Sequence, residues 1–189
     1  MSVDLLHRTI EALDAAGVPH MLAGSFASNE YGELRSTQDI DIVIDPGPDE
    51  LDRFLDSIDS NAYYVDRITA HEELTRRGMF NVIDLRLGWK VDLIMRKDRP
   101  FSTTEFERRV RTTAFGVPLW IATAEDVVLS KLEWAQRGGS DRQIGDAAAV
   151  LRVRGNDLDD AYLRHWAAEL GVIAELQRAR ALATGSAGT

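Results

Sequence analysis

The chain has no cysteine among its 189 residues. That excludes a disulfide framework and a thiolate zinc site. The four histidines, His7, His20, His71 and His165, are scattered at no metal-ligand spacing. No apolar run approaches the roughly 20 residues that a bilayer-crossing helix needs. The stretch from Met1 to Arg8 has no basic segment leading into an apolar one, so no secretory signal is expected. The expected compartment is therefore the cytoplasm, with no membrane partner. Positive charge is also in short supply, since the net charge is −9. Gripping long duplex DNA requires many phosphate-neutralising cations, so that partner is excluded as well. No internal repeat or low-complexity core segment is visible.

Hydrophobic residues make up 44% and charged residues 28%, the balance of a globular chain. The length suits one medium domain, or a domain with a small appendage, and allows a sizeable core. The charge is unevenly spread. Residues 1–66 carry 3 basic and 14 acidic side chains, and residues 67–111 carry 11 and 7. The middle segment is either an ordinary solvated face or a surface that meets phosphate locally.

Hydrophobic spacing outlines the elements. Val3, Leu6, Ile10 and Leu13 share one helical face, and Gly17-Val18-Pro19 stops that helix. His20 to Ala23 reads as a short strand running into Gly24, with a short helix over 25–32. Residues 39–44 alternate, with Asp39, Asp41 and Val43 on one face and Ile40, Ile42 and Ile44 on the other, as in a strand buried on one side. A turn at 45–48 leads to a helix over 49–58, whose apolar face is Leu51, Phe54, Leu55 and Ile58. A weak strand is expected at 62–65, a helix at 69–77, and a hairpin-like pair at 80–87 and 91–95 around Gly88-Trp89-Lys90. A helical piece follows at 103–109, then one strand within 112–121 interrupted by Gly116-Val117-Pro118.

From Thr123 the pattern is helical, opening on an acidic first turn at Glu125 and Asp126. Helices are expected from there to Arg137, then at 141–152, 157–170 and 173–182. The fold class is thus α+β, a mixed sheet flanked by helices followed by a C-terminal helical bundle. The expected divisions are 1–122, 123–183 and a disordered tail at 184–189. Trp89, Trp120, Trp134 and Trp166 are expected to serve packing.

Two carboxylates separated by one residue on a strand point the same way, about 7 Å apart. Asp39 and Asp41 would repel each other unless something neutralised them. A divalent cation is the natural neutraliser, and Mg²⁺ favours a few carboxylates with substrate phosphates and water. The plain alternative is a solvent-facing strand that happens to carry two aspartates. Gly24-Ser25 precedes the pair by fourteen positions and opens a helix. Glycine admits a phosphate close to the backbone, the helix N-terminus offers N–H groups, and serine adds a hydroxyl. Asp92, in an apolar strand, would complete a two-metal site or accept a proton from an attacking hydroxyl. Asp84 is a rival in nearly the same context. Asp92 is preferred because its strand opens on a tight Gly-Trp-Lys turn and is apolar on both sides. Arg35 is a further phosphate candidate in the loop before Asp39.

The run Ala23-Gly24-Ser25, then Arg35 to Val43 containing Asp39-Ile40-Asp41, then Val91-Asp92-Leu93-Ile94 resembles the nucleotidyltransferase superfamily related to DNA polymerase β. The pattern covers residues 18–95. The resemblance implies a nucleoside triphosphate substrate, two Mg²⁺ ions, and transfer of a nucleoside monophosphate to a hydroxyl acceptor with release of pyrophosphate. The acceptor would be an RNA 3′ end such as tRNA, a protein, or a small molecule. The segment from Glu125 to Asp146 is similar to the helical region of abortive-infection-type (AbiEii-like) nucleotidyltransferase toxins, which implies a possible cognate antitoxin. That likeness assigns Lys131 and Asp146 to nucleotide binding and catalysis, with Asp141 as the less favoured aspartate. Lysine is a point charge suited to triphosphate oxygens. The run departs from that group at Gly145, which is expected to interrupt the helix. The alternative function is a catalytically silent nucleotide-binding or toxin–antitoxin interaction module.

Overall fold

The computed structural model describes residues 2–33 and 39–185. In chain order the elements are α1 (Ser2–Ala16), β1 (His20–Leu22), α2 (Gly24–Tyr31), β2 (Asp39–Ile44), α3 (Pro48–Ser57), β3 (Tyr63–Val65), α4 (Arg67–Arg76), β4 (Met79–Asp84), β5 (Lys90–Met95), α5 (Pro100–Glu107), β6 (Val110–Ala114), β7 (Val117–Ile121), α6 (Ala124–Gly138), α7 (Asp141–Arg154), α8 (Asp160–Glu169) and α9 (Ile173–Ala183). They fall into two compact units. The first holds residues 2–23 and 39–121, and the second holds 24–33 and 122–185. The helix α2 thus belongs with the C-terminal helices, although the sequence places it between two strands of the sheet.

In the first unit seven strands form one sheet in the order β3-β4-β5-β2-β1-β7-β6. The sheet is mixed, since β2 runs parallel to β5 and β1 parallel to β7, while the other pairs are antiparallel. The alternation in β2 has the expected effect: Ile40, Ile42 and Ile44 are fully buried and Asp39 is exposed. On the same side of neighbouring strands lie Val91, Leu93 and Met95 of β5 and Phe80 and Val82 of β4, all buried. The helix α1 buries Leu5, Leu6, Ile10 and Leu13. It ends where Gly17 turns left-handed (φ 75°) and the Val18 N–H donates back to the Leu13 carbonyl at 2.9 Å. Pro48 opens α3, and the Glu50 carboxylate accepts from the Gly47 N–H at 2.7 Å.

Several boundaries differ from the sequence expectation. The helix α4 begins two residues early because Asp66 caps it, accepting from the Thr69 N–H at 3.1 Å. Pro100 similarly opens α5 ahead of the expected start at 103. The single strand expected within 112–121 is two strands, β6 and β7, paired antiparallel around Phe115 and Gly116. Both turn residues have positive φ, 55° and 77°, as a tight hairpin of the primed kind requires. Pro118 does not interrupt β7. It lies within the strand, opposite Thr113.

The second unit is helical. Thr123 caps α6, its hydroxyl accepting from the Asp126 N–H at 3.3 Å and donating to the Asp126 carboxylate at 2.6 Å. Left-handed Gly139 ends α6. The helix α7 runs without a break through Gly145, contrary to the expected interruption, because one glycine costs a helix only about 1 kcal/mol and cannot stop it alone. A 3₁₀ turn at Gly155–Asp157 precedes α8, which starts at the Asp159 cap. Thr184 and Gly185 form a turn after α9, and the rest of the expected tail lies outside the described residues. The tryptophans divide. Trp134 is 57% exposed, so it does not pack as expected. Trp120 lies in the first unit beneath the Arg109 and Arg111 guanidiniums. Among the described residues, no helix is long and apolar enough to cross a membrane.

Candidate active site

The candidate residues form two clusters, one in each unit. In the first unit, β2 carries Asp39 and Asp41 on the face opposite its isoleucines. The parallel register sets Asp41 opposite Asp92 and Asp39 opposite Lys90. The antiparallel register with β4 sets Asn81 opposite Asp92. Residues paired in register share a face, so the three aspartates, Lys90 and Asn81 all project from one side of the sheet. The backbone there is held from the other flank too, with the Ala23 N–H donating to the Asp41 carbonyl at 2.9 Å.

The side chains interact directly. Lys90 Nζ donates to Asp92 Oδ2 at 3.0 Å and lies 3.5 Å from Asp39 Oδ1. Asn81 Nδ2 donates to the other Asp92 oxygen, Oδ1, at 2.5 Å. The Asp92 side chain is 10% exposed, against 53% for Asp39. The hydrogen bond to Asp92 holds the Lys90 ammonium above its ordinary pKa, and the charges of Asp92 and Asp39 add to the effect. Among the described residues, no group of three or more His, Asp or Glu side chains converges closely enough to hold a metal ion. Instead, a protein cation stands between two of the carboxylates.

Asp84 lies on the other face. It pairs with Tyr63, and its Oδ1 accepts from the N–H groups of Arg86 and Leu87 at 2.8 and 2.9 Å. The bond from Leu87 is the main reason its carboxyl lies below the usual range. Asp84 is thus engaged in shaping the turn between β4 and β5, whereas Asp92 shares a face with Asp39 and Asp41.

In the second unit, Gly24 opens α2 in a left-handed conformation (φ 59°), which a side chain would disfavour. Ser25 follows. Lys131 on α6 donates to Ser25 Oγ at 3.2 Å and to Asp146 Oδ2 on α7 at 2.9 Å. The Lys131 and Asp146 side chains are 5% and 9% exposed. Three residues far apart in sequence therefore meet in a buried polar group. Asp141 stands apart, largely exposed and paired with Arg178 at 2.8 Å. Arg35 lies outside the described residues.

Two members of the first cluster escape a reading of the sequence. Lys90 reads as the last residue of a turn, and Asn81 as an ordinary strand residue. The usable signal was the i, i+2 spacing of Lys90 and Asp92, which puts both on one face once Lys90 is counted in the strand.

The fold has counterparts among solved structures. The solution structure of the antibiotic-resistance factor ANT(2'')-Ia superposes with a TM-score of 0.60 at 16% identity, over 93% of this chain and 95% of that one. A crystal structure of ANT(2'')-Ia in complex with adenylyl-2''-tobramycin gives 0.59 at 13%, over 90% and 97%. An antigenic nucleotidyltransferase-like protein from Paracoccidioides brasiliensis gives 0.55 at 16%, over 94% and 90%. No protein-family model and no curated protein matches the sequence. The chain therefore shares the fold of these solved structures.

Proposed function

We propose that this chain is a metal-dependent nucleotidyltransferase that moves a nucleoside monophosphate from an NTP to a hydroxyl acceptor. The observation that carries the reading is the register of β2 and β5, which sets Asp92 beside Asp41 on the face that also presents Asp39. Hard carboxylate oxygens are the donors Mg²⁺ prefers. The Lys90 ammonium between Asp39 and Asp92 supports the fit, because it marks a position whose charge favours a cation. Asp39, Asp41 and Asp92 share that face without converging on one point as they stand, and in this reading they would hold the metal once their side chains turn toward it. When bound, Mg²⁺ neutralises triphosphate charge and stabilises the leaving oxygen.

The remaining roles belong to the chain's own groups. Asp92 is the proposed acceptor of the hydroxyl proton, with Asn81 fixing one of its oxygens. The acceptor oxygen then bonds to the α-phosphorus, the bond to the bridging oxygen breaks, and pyrophosphate leaves. Gly24, Ser25, Lys131 and Arg35 are proposed to bind the nucleotide phosphates. Asp146 is proposed to orient Lys131 through their ion pair.

For the acceptor we favour a cationic small molecule. The acidic excess in residues 1–66 supports it, and so does the likeness to a protein crystallised with an adenylylated tobramycin. The test is incubation with each labelled NTP and Mg²⁺ against an aminoglycoside panel, and separately against total tRNA. Label on a small molecule supports this acceptor, and label on tRNA overturns it. NTP binding without transfer to anything would favour the silent nucleotide-binding module.

A further inference from the structure

We propose that Lys90 is the resident counter-ion of the carboxylate cluster, holding the metal position in the metal-free protein and competing with the incoming ion for it. The inference rests on the reading of Asp39, Asp41 and Asp92 as metal ligands, and adds a device that sets their affinity.

Three aspartates on one sheet face, two of them directly paired, repel one another in the absence of a cation. Rigid strands leave them no room to separate. The β2–β5 register supplies the remedy, because Lys90 is the residue opposite Asp39 and two positions before Asp92. Its ammonium reaches both carboxylates, at 3.5 and 3.0 Å. Asn81 binds the other Asp92 oxygen, so both oxygens of that side chain are already engaged. A metal that uses Asp92 must therefore displace at least one nitrogen. Lys90 can leave at small cost, because its side chain is 39% exposed and its flexible stem can carry the ammonium into solvent. Asn81 is tied to the sheet interior by a short side chain and is the donor expected to remain. Exchange of one cation for another keeps the local charge nearly balanced at each stage. It also prevents the empty site from spreading the strands apart.

The test is Mn²⁺ binding to the full chain without nucleotide, measured by calorimetry, for the wild type and for Lys90→Met, Lys90→Arg and Asp41→Asn. Thermal melts are run with and without Mn²⁺. Removing the competing charge should tighten Mn²⁺ binding roughly tenfold or more in Lys90→Met. Lys90→Arg, which keeps the charge, should bind close to wild type, and Asp41→Asn should lose binding. Metal-free Lys90→Met should melt below wild type, and Mn²⁺ should stabilise it by more degrees than it stabilises wild type. Wild type that binds Mn²⁺ while Lys90→Met binds equally or more weakly would overturn the role of Lys90 and leave the metal reading standing. Folded wild type and Lys90→Met that both fail to take up Mn²⁺ would overturn the metal reading itself, and this inference with it.

Discussion

Lys131 and Asp146 form a buried ion pair, ammonium to carboxylate 2.9 Å, between the neighbouring helices α6 and α7. The same ammonium donates to Ser25 at the start of α2, so one lysine ties three helices of the second unit together. Removing one partner of a buried pair takes away the ion pair that offsets the burial of the other charge. Asp146→Asn and Lys131→Met should therefore each destabilise the protein by about 3–5 kcal/mol. The double replacement Lys131→Met with Asp146→Asn should cost clearly less than the sum of the singles. Urea unfolding of the four proteins checks this, and strict additivity would speak against a coupled pair.

Gly145 gives an opposite expectation. It lies inside α7 with helical backbone, and a Cβ built on it meets nothing within 4 Å. Gly145→Ala should stabilise the chain by about 1 kcal/mol through backbone entropy alone. Gly32 is the contrast. A Cβ there would lie 3.0 Å from the Ser28 carbonyl oxygen and 3.1 Å from the Val150 backbone nitrogen. Gly32→Ala must push backbone apart and should lower the melting temperature, while Gly145→Ala raises it. A destabilising Gly145→Ala would contradict the open helical position.

The buried His20 should make stability depend on pH. Burial holds its pKa below 6.5, with Arg109 and Arg111 acting in the same direction and the Val18 carbonyl and Asp14 against it. Its Nε2 is buried with no hydrogen-bond partner among the described residues. The unfolded chain binds the proton more readily than the folded one. Stability contributed by the neutral ring is therefore full above pH 6.5 and is lost as pH falls below it toward the folded pKa. The loss approaches about 1.4 kcal/mol per pH unit in that window. Melts at pH 7.5 and 5.5 should show a smaller drop for His20→Gln than for wild type. Equal drops would contradict the assignment.

How far the sequence carried can be argued from single residues. The alternation of Asp39 to Ile44 was plain because one face of β2 is wholly apolar. The α6 start was plain because Thr123 and its acidic first turn form a recognisable cap. Asp84 and Asp92 were hard to separate because each sits in a short apolar strand, and local alternation does not say which face joins the neighbour's. Only the parallel pairing of β2 with β5, between segments some fifty residues apart in the chain, puts Asp92 beside Asp41. The β6–β7 hairpin was hidden because a bulky Phe115 takes the left-handed position where asparagine or glycine usually signals such a turn. Lys90 was missed for a similar reason, since a Gly-Trp-Lys run reads as a turn while its lysine is already the first residue of β5.

The most direct test of the central claim is label transfer from an α-³²P-labelled NTP with Mg²⁺, comparing wild type with Asp41→Asn across the acceptor panel. The account predicts that wild type labels one acceptor and releases pyrophosphate, and that Asp41→Asn, folded by circular dichroism, loses at least about 100-fold in rate, on the scale of other electrostatic active-site deletions. Transfer that persists undiminished in Asp41→Asn would contradict it.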